Sequence, residues 1–252
     1  MSSRQGSQTV LVTGAASGIG RACVRHLLAT GERVLAMDLR LADLEAAFPE
    51  RPEMLALREG DVRSAEDCAA AVDAAVAAFG RLDALMHWAG RHSIKPWEDL
   101  TAADLNAILE VNVTGSFLIA QAAARHMRRN RSGAIVLTGS TAVIHAPIGG
   151  AAGNGGPAYV ASKAAITGLV RSLARALGPD NIRVNAVAPG VTETPMIGNY
   201  SAETREAQTR QSPMGRIGTA EEVAEAGCML ISQAARYVSG EVLIVNGATS
   251  FG

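Results

Sequence analysis

Short apolar runs alternate with longer amphipathic stretches along most of the chain. Each run is apolar almost throughout, which predicts the buried strands of a parallel sheet covered on both faces. The predicted strands are Thr9–Thr13, Arg33–Asp38, Ala84–Trp88, Ala134–Thr138, Arg183–Ala188 and Val242–Val245, with a weaker one at Met54–Arg58. The stretches between them predict helices at Gly18–Thr30, Ser64–Phe79, Ala102–Arg129, Ala158–Leu177 and Ala220–Ser232.

This alternation also predicts the fold class. Repeated strand–helix–strand units with right-handed crossovers give an α/β fold, a doubly wound (Rossmann-type) parallel sheet of about seven strands with helices on both faces. No internal repeat or low-complexity linker divides the 252 residues, and the glycine-rich stretch Gly149–Gly156 is interpreted as a loop. We therefore expect residues 1–252 to form a single domain.

Charge and cysteine content narrow the classes of partner. The formal net charge of -1 argues against nucleic acid or anionic lipid as the main partner. The first nine residues are polar and no apolar run approaches the ~18 residues of a membrane span, so we expect a cytoplasmic protein. Cys23, Cys68 and Cys228 are far apart in the sequence and form no CxxC pair, which disfavours disulfides and zinc. No ligand cluster suggests any metal.

A glycine-rich turn follows the first predicted strand and opens the first predicted helix. It runs from Thr13 to Gly20, with the spacing G-x3-G-x-G at Gly14, Gly18 and Gly20. Glycines let the backbone approach a pyrophosphate, whose charge then faces the amides of a helix N-terminus. Alone this pattern is also compatible with an ordinary strand–helix loop.

Asp38 favours the dinucleotide interpretation. It ends the second predicted strand, 18 residues after Gly20, close to the ~20 expected for an acid that binds the adenosine ribose. A carboxylate there would repel a 2′-phosphate, so NAD is favoured over NADP, although Arg40 lies nearby. The alternative is a solvated acid at a strand end.

Tyr159 and Lys163 are four residues apart on a predicted helix and share one face. A tyrosine with its reference pKa of ~10 is a poor base at neutral pH. A neighbouring ammonium stabilises the phenolate and lowers that pKa, so the pair is suited to proton transfer. The chain has only two lysines, Lys95 and Lys163. By itself, however, Y-x-x-x-K is often a surface pair.

Taken together, these motifs resemble those of the short-chain dehydrogenase/reductase family, in its single-domain branch. The resemblance runs from about Thr9 to the C-terminus. TGAASGIG at 13–20 resembles the cofactor loop, and Asp61 and Val62 resemble the adenine-contacting pair. The remaining motifs are VNVTG at 111–115, VLTGS at 136–140, YVASK at 159–163 and PGVTET at 189–194.

The resemblance implies a set of site residues. The catalytic set would be Asn112, Ser140, Tyr159 and Lys163: Ser140 binds the substrate oxygen, Tyr159 transfers the proton, Lys163 holds the nicotinamide ribose, and Asn112 holds a water that relays protons. The implied cofactor-binding residues are Gly14, Ser17, Gly18, Ile19, Gly20, Asp38, Asp61, Val62, Ala89, Gly90, Tyr159, Lys163, Pro189, Thr192 and Thr194.

Three of these positions have structural alternatives. Asn112 could cap a helix kink, and Thr194 could be the N-cap of the next helix. Ser140 could be a turn residue, with Thr138 or Thr141 taking its role.

The chain departs from the family pattern at several places. His87-Trp88-Ala89-Gly90 stands where Asn-Asn-Ala-Gly is usual, and we expect Trp88 to pack. Thr192 replaces an aliphatic residue, and VNGA at 245–248 replaces VDGG. The interval from Ser140 to Tyr159 is longer than usual, so its loop should border the substrate pocket.

The substrate region is less defined by the sequence. His145 in the long loop, and Arg91 or His92 after the fourth strand, are either solvated or orient a polar substrate. A lid is expected near 193–216.

These features predict an NAD-dependent enzyme that interconverts a secondary alcohol and a ketone. The alternatives are a 3-oxoacyl-carrier-protein reductase and, with less support, a nicotinamide-binding regulator without turnover. A sugar-nucleotide epimerase usually needs a longer substrate domain. By family analogy, and because two long helices carry much apolar surface, we also expect a homotetramer.

Overall fold

A seven-stranded parallel sheet runs through the molecule. The structure is a computed structural model that describes residues 7–145 and 156–252. The strand order is β3-β2-β1-β4-β5-β6-β9, and the predicted doubly wound fold is confirmed. The strands are β1 (Thr9–Thr13), β2 (Arg33–Asp38), β3 (Leu55–Glu59), β4 (Ala84–His87), β5 (Gly133–Thr138), β6 (Ile182–Pro189) and β9 (Val242–Val245). Each predicted strand end lies within one residue of the observed end.

Helices cover both faces of this sheet. The α-helices are α1 (Gly18–Ala29), α2 (Leu41–Ala47), α3 (Ala65–Phe79), α4 (Ala102–Leu109), α5 (Ser116–Asn130), α6 (Ala142–His145), α7 (Pro157–Leu177), α8 (Ala202–Gln211) and α9 (Ala220–Ile231). Two short strands, β7 (Thr192–Glu193) and β8 (Gly218–Thr219), pair with each other outside the main sheet.

Alternate residues of each strand enter two separate hydrophobic cores. On one face Val10 and Val12 of β1 pack with α1, α2 and α9. On the other face Leu11 packs with α3, α5 and α7. Both faces are buried, which explains why the strands are apolar at successive positions.

The strand order reverses between β1 and β4. From β1 the chain builds outward through β2 and β3, and it then returns to place β4 on the other side of β1. The loops that follow β1 and β4 therefore leave in opposite directions and open a crevice at the carboxyl ends of the strands. The predicted seven strands lie in one sheet, while the assignment of residues 1–252 to a single domain stays a prediction.

The long helix predicted over Ala102–Arg129 is interrupted, and in this respect the prediction was wrong. Glu110–Gly115 forms a π-helical segment between α4 and α5. The hydroxyl of Ser116 donates to the Asn112 carbonyl oxygen at 2.6 Å, and Asn112 is only 1 % exposed. Such a segment widens one helical turn and redirects a side chain, and it occurs often at functional sites.

The stretch Ala102–Asn130 is the one helical part of the described chain that is long and apolar enough to cross a membrane. Its apolar side chains Ile108, Ile119 and Met127 are buried in the protein itself. These apolar side chains therefore pack in the core against the sheet.

Two of the cysteines that are distant in the sequence are neighbours in space. The thiols of Cys23 on α1 and Cys228 on α9 lie 3.9 Å apart, because these helices pack side by side. Both are free, and burial raises the pKa of Cys23 well above its ordinary value. Trp88 packs nearby as expected: a Cβ atom on Gly227 would meet its ring at 2.8 Å.

Candidate active site

A cleft of about 1020 Å³ opens at the carboxyl ends of the strands. Every residue predicted to bind the cofactor lines this cleft, and so does Ser140. These residues are Gly14, Ser17, Gly18, Ile19, Gly20, Asp38, Asp61, Val62, Ala89, Gly90, Tyr159, Lys163, Pro189, Thr192 and Thr194. Asn112 lies behind the cleft wall.

The glycine-rich turn at the end of β1 leaves no room for side chains. Gly14 has a φ of +66°, and a Cβ atom there would lie 2.6 Å from the Ala89 nitrogen. A Cβ atom on Gly20 would overlap the Gly14 carbonyl oxygen. The Ser17 hydroxyl makes no capping hydrogen bond to α1. The first amides of α1 therefore face the cleft in the manner of an anion-binding helix N-terminus.

Asp38 lines the end of the cleft at which the sequence predicts an adenosine ribose. Its carboxylate accepts hydrogen bonds from the Ala16 and Leu39 amides at 2.9 and 2.7 Å, which fixes it beside the glycine-rich turn. Arg40, which stood nearby in the sequence, is turned toward Asp43, with Nη2 and Oδ2 2.6 Å apart.

Asp61 and Val62 line the same end of the cleft. Arg63 pairs with Asp61 at 2.6 Å and holds the pKa of that carboxyl below its usual value. Arg63 itself lines the cleft, with its guanidinium paired to that carboxylate.

Three side chains converge at the other end of the cleft, those of Tyr159, Ser140 and Lys163. Ser140 follows β5, and the first turns of α7 carry Tyr159 and Lys163. Lys163 is 4 % exposed, its Nζ donates to the Thr138 carbonyl at 2.9 Å, and the same atom lies 5.7 Å from the centroid of the Tyr159 ring. The spacing of four residues therefore places both side chains on one face of α7, as predicted.

Burial dominates the protonation of this pair. It raises the pKa of Tyr159 above its ordinary value, and the hydrogen bond with Ser140 acts in the opposite direction. Burial lowers the pKa of Lys163 to about 8. The sequence led us to expect a lowered tyrosine pKa, and in this structure the net direction is upward because loss of solvation is the largest cause.

Ser140, and not its neighbouring threonines, is placed to contact Tyr159. The Thr138 hydroxyl donates to the His87 carbonyl at 2.5 Å, and the Thr141 hydroxyl donates to the Pro189 carbonyl at 3.2 Å. The Ser140 hydroxyl accepts from the Ala142 amide at 3.1 Å and also bonds Tyr159. Ser140 therefore stabilises the turn and also contacts Tyr159. The sequence had left these two roles open as alternatives.

Asn112 organises the backbone beside the site. Its side chain accepts from the Arg91 amide at 2.7 Å and donates to the Arg91 carbonyl at 2.9 Å. It also donates to the Ser162 hydroxyl at 2.9 Å, and that hydroxyl donates to the Tyr159 carbonyl at 2.7 Å. Asn112 thus connects the loop after β4 with the turn of α7 that carries Tyr159, which goes beyond capping a kink.

Ser162 and His87 were not among the predicted site residues. His87 ends β4, is 1 % exposed, and has its Nδ1 2.7 Å from the Thr13 hydroxyl. Burial, with a smaller contribution from the ammonium of Lys163, lowers the pKa of His87 to about 3. The sequence marked His87 in one way only: it is the first residue of the loop in which His-Trp-Ala-Gly replaces Asn-Asn-Ala-Gly.

The segment after β6 lies across the glycine-rich turn. Thr192 is buried and its hydroxyl donates to the Gly190 carbonyl at 3.0 Å. Thr194 precedes the 3₁₀ turn Pro195–Ile197 but makes no side-chain capping bond, and its methyl would meet a Cβ atom on Gly18 at 3.2 Å. Its position is therefore that of an N-cap, while its side chain faces the cofactor turn.

The predicted lid near 193–216 contains structure of its own. Its helix α8 begins after Ser201, whose hydroxyl accepts from the Thr204 amide at 3.1 Å. Arg205 on α8 binds both carboxylate oxygens of Glu193 at 2.8 Å. The segment also lines the cleft, with side chains that include Met196, Ile197, Tyr200, Gln208 and Gln211.

Two of the three candidate substrate-orienting residues lie at the cleft. Arg91 and His92 both line it, and the His92 ring contacts the Tyr159 ring with centroids 4.8 Å apart. The ring of His92 is thus partly buried against Tyr159. The side chain of His145 and the stretch 146–155, which includes most of the long loop, lie outside the described residues.

Comparison with known proteins agrees with this geometry. The family model described as enoyl-(acyl carrier protein) reductase, of the short-chain alcohol dehydrogenase type, matches residues 14–249. The chain is 38% identical over 244 residues to a cis-4-hydroxycyclohexanecarboxylate dehydrogenase of Sinomonas cyclohexanicum, covering 95% of each. It is 34% identical over 241 residues to a 3-oxoacyl-acyl-carrier-protein reductase of Thermotoga maritima, covering 94% of this chain and 95% of the relative.

The chain belongs to the short-chain dehydrogenase/reductase family.

A solved structure supports the same assignment. The short-chain dehydrogenase/reductase of Brucella melitensis described as a glucose/ribitol dehydrogenase superposes with a TM-score of 0.88, at 31% identity and 97% coverage of both chains. This short-chain dehydrogenase/reductase is thus an oxidoreductase whose family uses a nicotinamide cofactor, NAD or NADP. The glycine cradle, the uncapped start of α1 and Asp38 fit the pyrophosphate and adenosine ribose of such a cofactor. Lys163, Pro189 and Thr194, which the family resemblance assigns to the nicotinamide half, line the same cleft.

Proposed function

We propose that the protein is an NAD(H)-dependent oxidoreductase that interconverts a secondary alcohol and a ketone, with Tyr159 as the general acid and base. The observation that carries the proposal is the convergence of Tyr159, Ser140 and Lys163 at one end of a cleft whose other end fits a dinucleotide. The overall reaction is alcohol plus NAD⁺ to ketone plus NADH and a proton.

In the oxidation direction, Tyr159 accepts the proton of the alcohol hydroxyl. Ser140, which shares a hydrogen bond with Tyr159, also binds the substrate oxygen and stabilises the charge that develops on it. A nicotinamide held in the cleft would supply the hydride acceptor for the carbinol carbon. In reduction, the phenol of Tyr159 returns its proton to the carbonyl oxygen.

Lys163 and Asn112 support this proton transfer. The Lys163 ammonium lies beside the tyrosine ring and is held by the Thr138 carbonyl, so it stabilises the phenolate when that forms. Asn112, through Ser162, fixes the helical turn that carries Tyr159. By analogy with the family, Lys163 also binds the nicotinamide ribose and Asn112 participates in a water-mediated proton relay.

The choice of NAD rests on Asp38. Its carboxylate is oriented by two backbone amides, and Arg40 and Arg63 each pair with another carboxylate. A 2′-phosphate would meet a negative charge without a free arginine among the described residues at that end of the cleft. Repulsion at this position supports NAD over NADP.

The deciding experiment follows nicotinamide absorbance with a panel of secondary alcohols and ketones. Tyr159→Phe should still bind NADH but lose turnover by the roughly 10²–10⁴-fold that general acid–base catalysis contributes. Tyr237→Phe is the matched control, since Tyr237 is fully exposed and does not line the cleft. Near-wild-type rates in Tyr159→Phe would overturn the mechanism.

A second candidate is reduction of a 3-oxoacyl group on an acyl carrier protein. It is favoured by the similarity to the Thermotoga maritima enzyme. That activity usually uses NADPH, which Asp38 disfavours. Steady-state comparison of NAD with NADP separates the candidates, because clear NADP preference supports the carrier-protein substrate and contradicts our cofactor assignment.

A nicotinamide-binding regulator without turnover has less support. Such a protein has no need of Asn112, Ser140, Tyr159 and Lys163 together, yet all four are present and three of them contact one another or the cleft.

We further propose a cytoplasmic homotetramer that acts on small molecules, with no nucleic acid or membrane partner.

A further inference from the structure

The loop that follows β4 brings a second chemically active side chain to Tyr159. The His92 and Tyr159 rings meet edge to face, with centroids 4.8 Å apart and an interplanar angle of 70°. Both residues line the cleft. The imidazole and the phenol therefore line the same part of the cleft.

Hydrogen bonds on either side hold His92 in place. On the N-terminal side, the Arg91 amide and carbonyl both bind the Asn112 side chain, at 2.7 and 2.9 Å. On the C-terminal side, the Ser93 carbonyl accepts from the Gly156 amide at the start of α7. A Cβ atom on Gly156 would overlap the Lys95 carbonyl oxygen, so this approach requires a glycine. The position of His92 against Tyr159 is therefore fixed by the backbone.

The His92 ring nitrogens are available for a ligand. Among residues 7–145 and 156–252, no group forms a hydrogen bond with them, although the ring is half-buried. Burial, and secondarily the ammonium of Lys163, lower the pKa of His92. At neutral pH the imidazole is uncharged and offers one donor and one acceptor.

The cleft lining also includes apolar side chains and side chains that bind elsewhere in the protein. Met196, Ile197 and Met214 contribute apolar surface. Tyr200 and Gln208 take part in interactions within the protein. A neutral imidazole with unused hydrogen-bonding capacity beside the catalytic phenol is suited to a second polar atom of the same substrate.

We propose that His92 is a substrate-binding residue that selects alcohols and ketones with a second oxygen, a hydroxyl or carbonyl, on the carbon next to the reacting one. This rests on the proposed oxidoreductase function and names its substrate class. A vicinal hydroxyl can both donate to and accept from the imidazole, whereas a plain secondary alcohol leaves a half-buried nitrogen without a partner. That desolvation penalty disfavours the plain alcohol.

The test compares matched substrates that differ by one hydroxyl: cyclohexanol with its vicinal diol, and secondary butanol with its vicinal diol. For the wild-type enzyme, kcat/KM should favour the diol by about tenfold or more, the value of one net hydrogen bond. His92→Phe keeps a ring against Tyr159 but removes both nitrogens, so the preference should fall toward one. His92→Asn, which can donate and accept, should restore part of it.

Controls separate binding from structural support. His26→Phe changes a histidine on α1 that does not line the cleft, and the diol preference should persist. NADH binding, followed by fluorescence, should be the same in wild type and His92→Phe. If His92→Phe lowers kcat/KM equally for both members of each pair, His92 only supports Tyr159 and the inference is overturned while the oxidoreductase function stands.

Two wild-type results also count against the inference. A preference for the plain alcohol contradicts it directly. Absence of turnover with both diols, in an enzyme that turns over other alcohols of the panel, also overturns the inference, and the oxidoreductase function stands.

Discussion

At the scale of single residues, the protonation of Tyr159 and Lys163 determines how the reaction responds to pH. Burial raises the pKa of Tyr159 and lowers that of Lys163 to about 8. At neutral pH the tyrosine is therefore the phenol, which is the form that donates a proton to a ketone. Oxidation needs the phenolate, so the two directions have opposite pH dependences.

We predict that kcat/KM for alcohol oxidation rises as the pH increases toward the raised tyrosine pKa, while loss of the Lys163 ammonium above its pKa of about 8 acts against that rise. Ketone reduction should be greatest near neutral pH and fall over the same range. Steady-state rates across a buffered pH series in both directions measure this.

The two lysines of the chain provide the control. Lys163→Met should change the profile and reduce turnover, because the cation beside the phenol is lost. Lys95→Met should leave the profile unchanged, since Lys95 pairs with Asp104 on the surface, at 2.6 Å. An identical pH profile in Lys163→Met would show that the Lys163 ammonium does not influence proton transfer by Tyr159.

Asp38 carries the prediction about the cofactor. Loss of its carboxylate removes charge-assisted hydrogen bonds worth ~1.5–3 kcal/mol, so Asp38→Ala should weaken NAD binding by roughly 10–100-fold. Removal of the negative charge should improve NADP binding at the same time. Isothermal titration with both cofactors measures the two effects.

Glu59→Gln is the matched control for that variant. Glu59 is the register partner of Asp38 at the end of the neighbouring strand, yet it does not line the cleft. Cofactor selectivity should therefore stay as in the wild type. Tight NAD binding retained in Asp38→Ala would show that the ribose is held by other groups.

At the scale of elements, the regular parts of the fold were predictable because their physical signal is local. The strands are apolar at consecutive positions and α1 follows a glycine-rich turn, so both could be assigned from the sequence. The helices α2 and α8 were missed, as was the four-residue helix α6. The first is short, with Leu44 as its only buried residue, and α8 is almost wholly polar, with Gln208 as its only buried residue. Neither has the apolar periodicity on which such predictions depend.

Other features depend on contacts between distant residues and could not be predicted. The π-helical segment at Asn112 results from what that side chain binds, namely the Arg91 backbone and Ser162, and helical periodicity does not encode it. The Cys23–Cys228 contact joins residues 205 positions apart. The catalytic side chains, in contrast, follow strand ends and share one helix face, so their convergence could be inferred from order and spacing.

The glycine-rich turn allows a test of close packing at an element end. Gly14→Ala combines a positive φ with a Cβ atom 2.6 Å from the Ala89 nitrogen, whereas Gly31→Ala has a φ of +87° and nothing within 4 Å. Backbone strain alone costs ~1–2 kcal/mol. Gly31→Ala should then lower Tm by roughly 2–8 °C and leave NADH binding intact.

Gly14→Ala should lower Tm further and abolish NADH binding, because Ala89 and the turn must move apart. Differential scanning calorimetry and NADH fluorescence measure both variants. Equal effects of the two substitutions would mean that the turn tolerates a side chain beside Ala89.

At the scale of the whole molecule, outward apolar surface bears on assembly. Phe117 on α5 is 39 % exposed even though the opposite side of the same helix is in the core. This is the surface expected to be covered in the proposed homotetramer. Static light scattering should give four times the mass of one chain, and a stable monomer would refute the proposal.

A charge at that surface should prevent assembly. Phe117→Glu is predicted to yield smaller species by light scattering, because a carboxylate would be buried without a partner. Arg25→Glu is the control, since Arg25 is exposed on α1, on the other face of the sheet. An intact tetramer in Phe117→Glu would place the interface elsewhere.

The buried imidazole of His87 also makes the molecule accessible to spectroscopy. Its pKa of about 3 keeps it uncharged through the whole range over which Tyr159 and Lys163 change protonation. Its Nδ1 contacts Thr13, the last residue before the glycine-rich turn. In a ¹⁵N-histidine-labelled sample, the His87 ring resonances should therefore stay constant during a pH titration and shift when a dinucleotide binds, which gives an occupancy signal independent of turnover.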